Sequence, residues 1–199
     1  MNISICNSLA EKFKSGDVVL IGGLSKSGKT TLSDHLRIAC LRKNLTSLTL
    51  SIDRWLNDAD SRSPGVMGRY DLTEIQKVLS LRSSGTVNEI CLELPEYDKY
   101  AQKKSFNGQS VLIHPKDILI VEGTIALTLT GSVDCTHSLY IEIDEALRRQ
   151  RVIDEYLSRG RSIAEAEQIY ATREQDETPV IKQSSALAIH INLSNINLE

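Results

Sequence analysis

The run Gly23-Leu24-Ser25-Lys26-Ser27-Gly28-Lys29-Thr30 constrains this chain more than any other segment. It fits the pattern G-x-x-x-x-G-K-[ST]. Val18-Val19-Leu20-Ile21 precedes it and reads as a buried strand, and Thr31 to Leu41 follows with apolar residues at helical spacing. Strand, glycine-rich turn and helix in that order put the turn at the carboxyl end of a strand, beside the amino end of the helix.

Each residue type there has a physical task. Glycine at 23 and 28 allows backbone angles and close approach that a side chain would block. The loop, from Gly23 through Ser25, Lys26, Ser27 and Gly28 to Thr31, can then turn its amides toward phosphate oxygens, helped by the positive end of the helix dipole. Lys29 places a point charge on β- and γ-phosphates, and the Thr30 hydroxyl reaches a Mg²⁺ that bridges them. The expected ligand is a nucleoside triphosphate with Mg²⁺. The plainer alternative is a glycine turn with a solvated lysine.

The other predicted elements repeat the alternation. A short amphipathic helix is read over 4–15, strands over 18–22, 46–52, 117–122, 138–143 and 188–193, and helices over 29–43, 71–82, 144–157 and 163–175. Ser83-Ser84-Gly85 is read as the stop of the third helix. Residues 54–69 read as irregular, with Ser61, Ser63, Pro64, Gly65 and Gly68. The run 86–94, broken at Pro95, and the run 109–114 read as a hairpin-like flap. Strands alternating with helices predict an α/β fold, a mostly parallel five-stranded sheet with helices on both faces. Ligands of such sheets sit at the carboxyl ends of the strands. There the loop at 23–30, Asp53 and Glu122 can meet.

Composition removes several classes. At 199 residues the chain suits one domain over 1–199, with a flap at 86–114 and a helical lid at 145–178. The formal net charge of −3 supplies no global field for nucleic acid. Cys6, Cys40, Cys91 and Cys135 are scattered and form no C-x-x-C pair, which reads as free thiols in a reducing compartment. No basic-then-apolar leader opens the sequence and no apolar run has spanning length, so the expectation is a cytoplasmic protein with no membrane partner.

Asp53, just after the second strand, can take a proton from an attacking hydroxyl, or can be an ordinary turn or cap aspartate. Glu122 ends four apolar residues, as a metal-supporting acid does, or it caps a loop; metal support by Thr30, Glu122 and Asp53 is the sharper reading. Arg148, Arg149, Arg151, Arg159 and Arg161 form the dense basic cluster. Arg148 and Arg151 share a helix face, which makes them candidates to stabilise a transferring phosphoryl group, while Arg159-Gly160-Arg161 reads as a lid joint. The alternative is a solvated face paired with Asp144, Asp154 and Glu155.

With these residues in place, the chain resembles the uridine kinase and phosphoribulokinase branch of P-loop kinases, along nearly its whole length. The segments that carry the resemblance are GLSKSGKTT, SIDRW, TVNEICLELPEYDKY, SVLIHPKDILIVEG, RVIDEYLSRGRS and ALAIHINL, in that order. The resemblance implies the P-loop NTPase fold and transfer of the ATP γ-phosphate to a hydroxyl of a nucleoside or sugar. It puts the base at Asp53, the metal-supporting acid at Glu122, a substrate-binding tyrosine at Tyr97 and a ribose-binding acid at Asp71. Lys99 and Gln102 stand where pyrimidine kinases of the branch carry an aromatic residue and a histidine. Asp154-Glu155 stands where its lid usually has Arg-Asp. A kinase of another, anionic metabolite, as pantothenate kinases are, is the alternative, with Lys99, Lys103 and Lys104 selecting the acceptor. A nucleotide-binding regulatory protein with little turnover is a third reading. The resemblance is also compatible with a homo-oligomer.

Overall fold

The computed structural model describes residues 3–83 and 89–192. The readings at 84–85, at 86–88 and at 193 lie outside these residues. In chain order the elements are α1 (Ile3–Ala10), β1 (Val18–Gly23), α2 (Lys29–Arg42), β2 (Ser47–Ser51), α3 (Leu72–Ser83), β3 (Ile90–Asp98), β4 (Lys103–Ile113), β5 (Ile118–Glu122), β6 (His137–Glu142), α4 (Glu145–Ser158), α5 (Ile163–Asp176), α6 (Thr178–Ser184) and β7 (Ile189–Asn192).

Five strands form one sheet in the order β2-β5-β1-β6-β7, and every neighbouring pair is parallel. Strands buried on both faces read as continuous apolar runs, which is why 18–21 and 118–121 stand out in the sequence. Successive side chains still alternate. Val19 and Ile21 of β1, with Ile118 and Ile120 of β5, pack against α1 and α2 through Phe13, Leu32 and Leu36. Val18 and Leu20, with Leu119 and Val121, face α3, the turn at 126–132 and α6 through Ile75, Leu79, Leu127 and Ile181. Each fully buried Leu or Ile stabilises the fold by about 1.5–3 kcal/mol. Helices cover both faces, as the alternation predicted.

Local chemistry sets the helix ends. α2 stops before Asn44, which takes a left-handed φ of 57°. The Asp144 carboxylate accepts from the Leu147 amide to open α4, and Ser162 and Glu165 form a capping box that opens α5.

Three readings need correction. Pro95 does not end the flap strand: β3 continues to Asp98, with a register shift between Glu93 and Pro95. A two-stranded ribbon has free edges, so a bulge absorbs the missing amide of proline. β4 accordingly starts at Lys103 rather than 109. The stretch 52–70 is also more ordered than its composition promised, with turns of 3₁₀ helix at Ile52–Trp55, Ala59–Ser61 and Met67–Arg69 and a Leu56–Tyr70 bridge. Among the described residues no helix is long and apolar enough to cross a membrane.

Candidate functional site

A cleft of about 600 Å³ opens at the carboxyl ends of β1, β2 and β5. The loop after β1 forms its floor. A Cβ on Gly23 would lie 2.6 Å from the Ser27 hydroxyl and 3.0 Å from the Ile141 carbonyl, so no larger residue fits there. Gly28 opens α2 with a φ of 100°, in the left-handed region that glycine enters without strain. Lys29 lies buried along the loop, and its ammonium donates to the Gly23 carbonyl at 3.1 Å and the Leu24 carbonyl at 2.8 Å. Burial pushes that ammonium down from its ordinary value, and the charges of Asp53 and Glu122 act against the shift.

The loop also holds two orphaned groups. The Ser25 and Ser27 hydroxyls are buried without a hydrogen-bond partner. Buried polar atoms ordinarily have one, so these fit a loop built to receive oxygen atoms of a ligand. Thr30 Oγ1 donates to Glu122 Oε1 at 3.3 Å. Hard oxygen donors at one point suit Mg²⁺, which commonly takes one or two protein ligands and completes its shell with water and phosphate. Among the described residues there is no group of three or more His, Cys, Asp or Glu that could hold a metal ion. Burial pushes the Glu122 carboxyl up, with Asp53 adding to the shift, while Ser51, Lys29 and Thr30 oppose it. A bound dication would relieve that cost.

Asp53 lies on the 3₁₀ turn after β2 and faces the same cleft. It accepts from the Tyr70 hydroxyl at 3.3 Å, and the Lys99 ammonium lies 3.9 Å from its other oxygen. Burial pushes the Tyr70 phenol well up, and Asp53 adds to the shift, so Tyr70 stays a protonated donor to Asp53. Tyr97, Lys99 and Gln102 reach the cleft from the flap. Helix α4 meets the loop after β1 directly: the Glu155 carboxylate pairs with Lys26 at 2.8 Å, and Arg151 donates to the Lys26 carbonyl at 3.2 Å. Arg159 pairs with Glu155 and lies over the Tyr156 ring at 5.2 Å.

Most of the residues read from the sequence thus meet in one cleft. Ser25, Lys26, Gly28, Lys29, Thr30, Thr31, Asp53 and Glu122 line it from the sheet side. Five others fall outside its lining: Gly23 and Ser27, which belong to the loop itself, and Arg148, Arg161 and Asp71. Arg148 is wholly buried between the lid helices, bound to Glu174, 3.9 Å from Glu177 and over the Tyr170 ring at 5.4 Å. Its shared face with Arg151 does not bring it to the phosphate loop, because α5 packs on that part of α4. Arg161 is half exposed and pairs with Glu165 in the first turn of α5. Asp71 bonds Lys104 at 2.9 Å and accepts from the Glu74 amide at 3.2 Å, at the start of α3. Burial alone would push its carboxyl up, but these donors outweigh it and hold it below the usual range.

The sequence reading missed Arg62, Arg69, Tyr70, Arg173 and Glu177, all of which line the cleft. Glu177 is 3% exposed, and Arg69 at 2.7 Å and Arg173 at 3.6 Å converge on it. No pattern marks these positions; only the tertiary fold brings 62–70 against 173–177.

The sequence matches no protein-family model and no curated protein. Solved structures match it throughout. A protein of Silicibacter sp. TM1040, provisionally named a fructose transport system kinase, superposes with a TM-score of 0.70 at 18% identity over 95% of this chain and 96% of that one. A protein of Bacillus stearothermophilus, provisionally named a uridine kinase, gives 0.59 at 18% identity over 89% and 92%. The D-glycerate 3-kinase of Cryptococcus neoformans gives 0.62 at 12% identity over 99% and 95%. What the chain shares with them is the fold. It is that of uridine kinase-like P-loop kinases.

Proposed function

We propose that this protein is an ATP-dependent kinase of a small molecule, transferring the γ-phosphate of MgATP to a hydroxyl. The observation that carries this reading is the joint presence of Lys29, Thr30, Asp53 and Glu122 in one cleft, at the strand ends where such sheets bind ligands. Lys29 and the loop amides hold the phosphates. Thr30 and Glu122 would hold Mg²⁺, which supplies charge neutralisation to the phosphates. Asp53 takes the proton of the acceptor hydroxyl, held for that task by the Tyr70 hydroxyl. The acceptor oxygen bonds to the γ-phosphorus, and the bond from that phosphorus to the β–γ bridging oxygen breaks. ADP departs with the electron pair. Arg151, which donates to the loop, and Arg159, which is linked to it through Glu155, stabilise charge on the transferring group.

The provisional names of two matched proteins point to a sugar or a nucleoside, and the third protein acts on D-glycerate. Acceptors of all three kinds belong in the test. The purified protein is given MgATP and a panel of nucleosides, sugars and hydroxy acids, and ADP release and product mass are measured together. Acceptor-dependent ADP release with a product heavier by one phosphoryl group is the expected result. Equal ADP release with and without every acceptor would remove the kinase reading.

A further inference from the structure

The chain carries a net charge of −3, yet eight Lys and Arg side chains line the cleft against four Asp and Glu. Part of that surplus belongs to the phosphate loop, where Lys26, Lys29, Arg151 and Arg159 gather. The remainder lies on the flap side. There Arg69 and Arg173 are paired with two carboxylates, Arg69 with Asp176 and Glu177 and Arg173 with Glu177. Arg62 is not. Its guanidinium donates to the Asn57 carbonyl at 3.0 Å and to the Tyr97 hydroxyl, and lies over the Tyr97 ring at 5.5 Å. Among the described residues no ion pair neutralises it, although it is half-buried. Among the described residues the one ion pair of Lys99, on the flap hairpin, is the long 3.9 Å contact to Asp53.

The segments that carry the two cations are tied to each other. The Ala59 amide donates to the Gln102 carbonyl at 3.1 Å, and the Lys104 amide donates to the Asp58 carboxylate at 2.7 Å. These bonds fasten the segment that carries Arg62 to the hairpin that carries Lys99. A half-buried guanidinium with neutral partners loses hydration without gaining a counter-charge, an arrangement that an incoming anion completes. Arg62 also presents a planar fork that suits carboxylate or phosphate oxygens.

We infer that Arg62 and Lys99 form an anion clamp on the acceptor side of the cleft, and that the acceptor is a small alcohol bearing a carboxylate or a phosphate. This rests on the kinase reading, since it names that reaction's acceptor. Lys99 touches Asp53, so the anionic group and the reacting hydroxyl belong to one compact molecule. The clamp takes no part in bond making; it orients the hydroxyl toward Asp53 and discriminates against neutral analogues.

The test uses matched pairs: glycerate against glycerol, glycerol 3-phosphate against glycerol, pantothenate against pantothenol and ribose 5-phosphate against ribose, with uridine as a further neutral compound. Binding is measured by calorimetry with a non-hydrolysable MgATP analogue present, and transfer by product mass with MgATP. The anionic member of at least one pair should bind and react, with kcat/KM about ten- to hundredfold above its neutral partner. The carboxylate and phosphate pairs tell the two anions apart. Arg62→Gln and Lys99→Gln should raise the KM for that acceptor by a similar factor while leaving the KM for ATP unchanged. Equal or better use of neutral acceptors overturns the clamp and leaves the kinase reading standing. So does a preference that survives both substitutions. Failure of every anionic compound to bind also overturns the clamp. Binding without any transfer overturns the kinase reading instead.

Discussion

The Lys99 ammonium lies 3.9 Å from the Asp53 carboxylate, joining the flap hairpin to the turn after β2. Both groups are partly exposed, with side chains 52% and 38% accessible, so this is a loose, solvent-screened pair rather than a structural tie. Its importance is positional. It puts a flap residue beside the cleft carboxylate that accepts from Tyr70, in the cleft that the loop at 23–31 also lines. In the proposed reaction the donor and acceptor sides meet at Asp53.

Asp53→Asn keeps the shape and removes the proton acceptor. Nucleotide affinity should stay within about twofold while kcat falls by about 10²–10⁴, the usual contribution of a positioned general base. Lys29→Ala should do the reverse in part, abolishing nucleotide binding along with turnover while the circular dichroism spectrum is kept. Titration with a fluorescent ATP analogue, set beside single-turnover rates, separates the two. Normal transfer by the Asp53 variant would remove Asp53 as the base.

The residues that the sequence revealed share one property: each sits in a local pattern. Lys29 and Thr30 belong to a loop of fixed spacing, and Asp53 and Glu122 each follow an apolar strand. The parallel sheet is legible for the same reason, since buried strands are continuous apolar runs. Arg62, Arg69 and Glu177 have no such signature. They reach the cleft because 54–70 folds back over the sheet edge and the lid helices return to meet it. Arg148 shows the limit from the other side. Its spacing from Arg151 is right for a shared face, but spacing does not say which part of that face another helix covers. Pro95 departs from the general habit of proline, because the bulge in a two-stranded ribbon accommodates it.

Glu155 holds Lys26 of the phosphate loop and Arg159 of the lid joint together. Glu155→Gln should free both cations and loosen the lid in the absence of nucleotide. Hydrogen exchange in residues 155–162 is then expected to accelerate about tenfold without ATP and to return toward the wild-type rate with an MgATP analogue, which offers both cations new partners. An exchange rate unchanged by the substitution would show that the pair does not hold the lid.

Glu122 is 4% exposed, and burial holds its carboxyl above the ordinary range. A carboxyl whose pKa is raised on folding binds its proton more tightly in the folded state. Stability from this group is therefore fully present below the unfolded pKa and is lost as pH rises through the folded one. Glu122→Gln removes that loss. Without nucleotide or Mg²⁺ the variant should melt higher than the parent at pH 7–8, by about 2–4 °C for each kcal/mol gained, and the gain should shrink near pH 4. Metal-dependent stabilisation by nucleotide should weaken in the same protein. A lower melting temperature at pH 8 would show that the bonds to Thr30 and Ser51 outweigh the burial cost.

Arg148 separates a structural from a catalytic role. It is wholly buried, bound to Glu174 and close to Glu177, and two of its nitrogens are already short of partners. Removing one member of a buried ion pair strands the rest, a loss of about 3–5 kcal/mol. Arg148→Ala should therefore lower the melting temperature by on the order of 10 °C. At a temperature where the variant remains folded, its KM for ATP should match that of the parent. Arg151→Ala, at the cleft, should show the opposite pattern, with an unchanged melting temperature and slower phosphoryl transfer. The contrast turns on packing: α5 covers Arg148, while the same helix α4 leaves Arg151 open to the loop at Lys26. A stable Arg148→Ala variant that binds ATP but transfers phosphate slowly would return Arg148 to the reacting group.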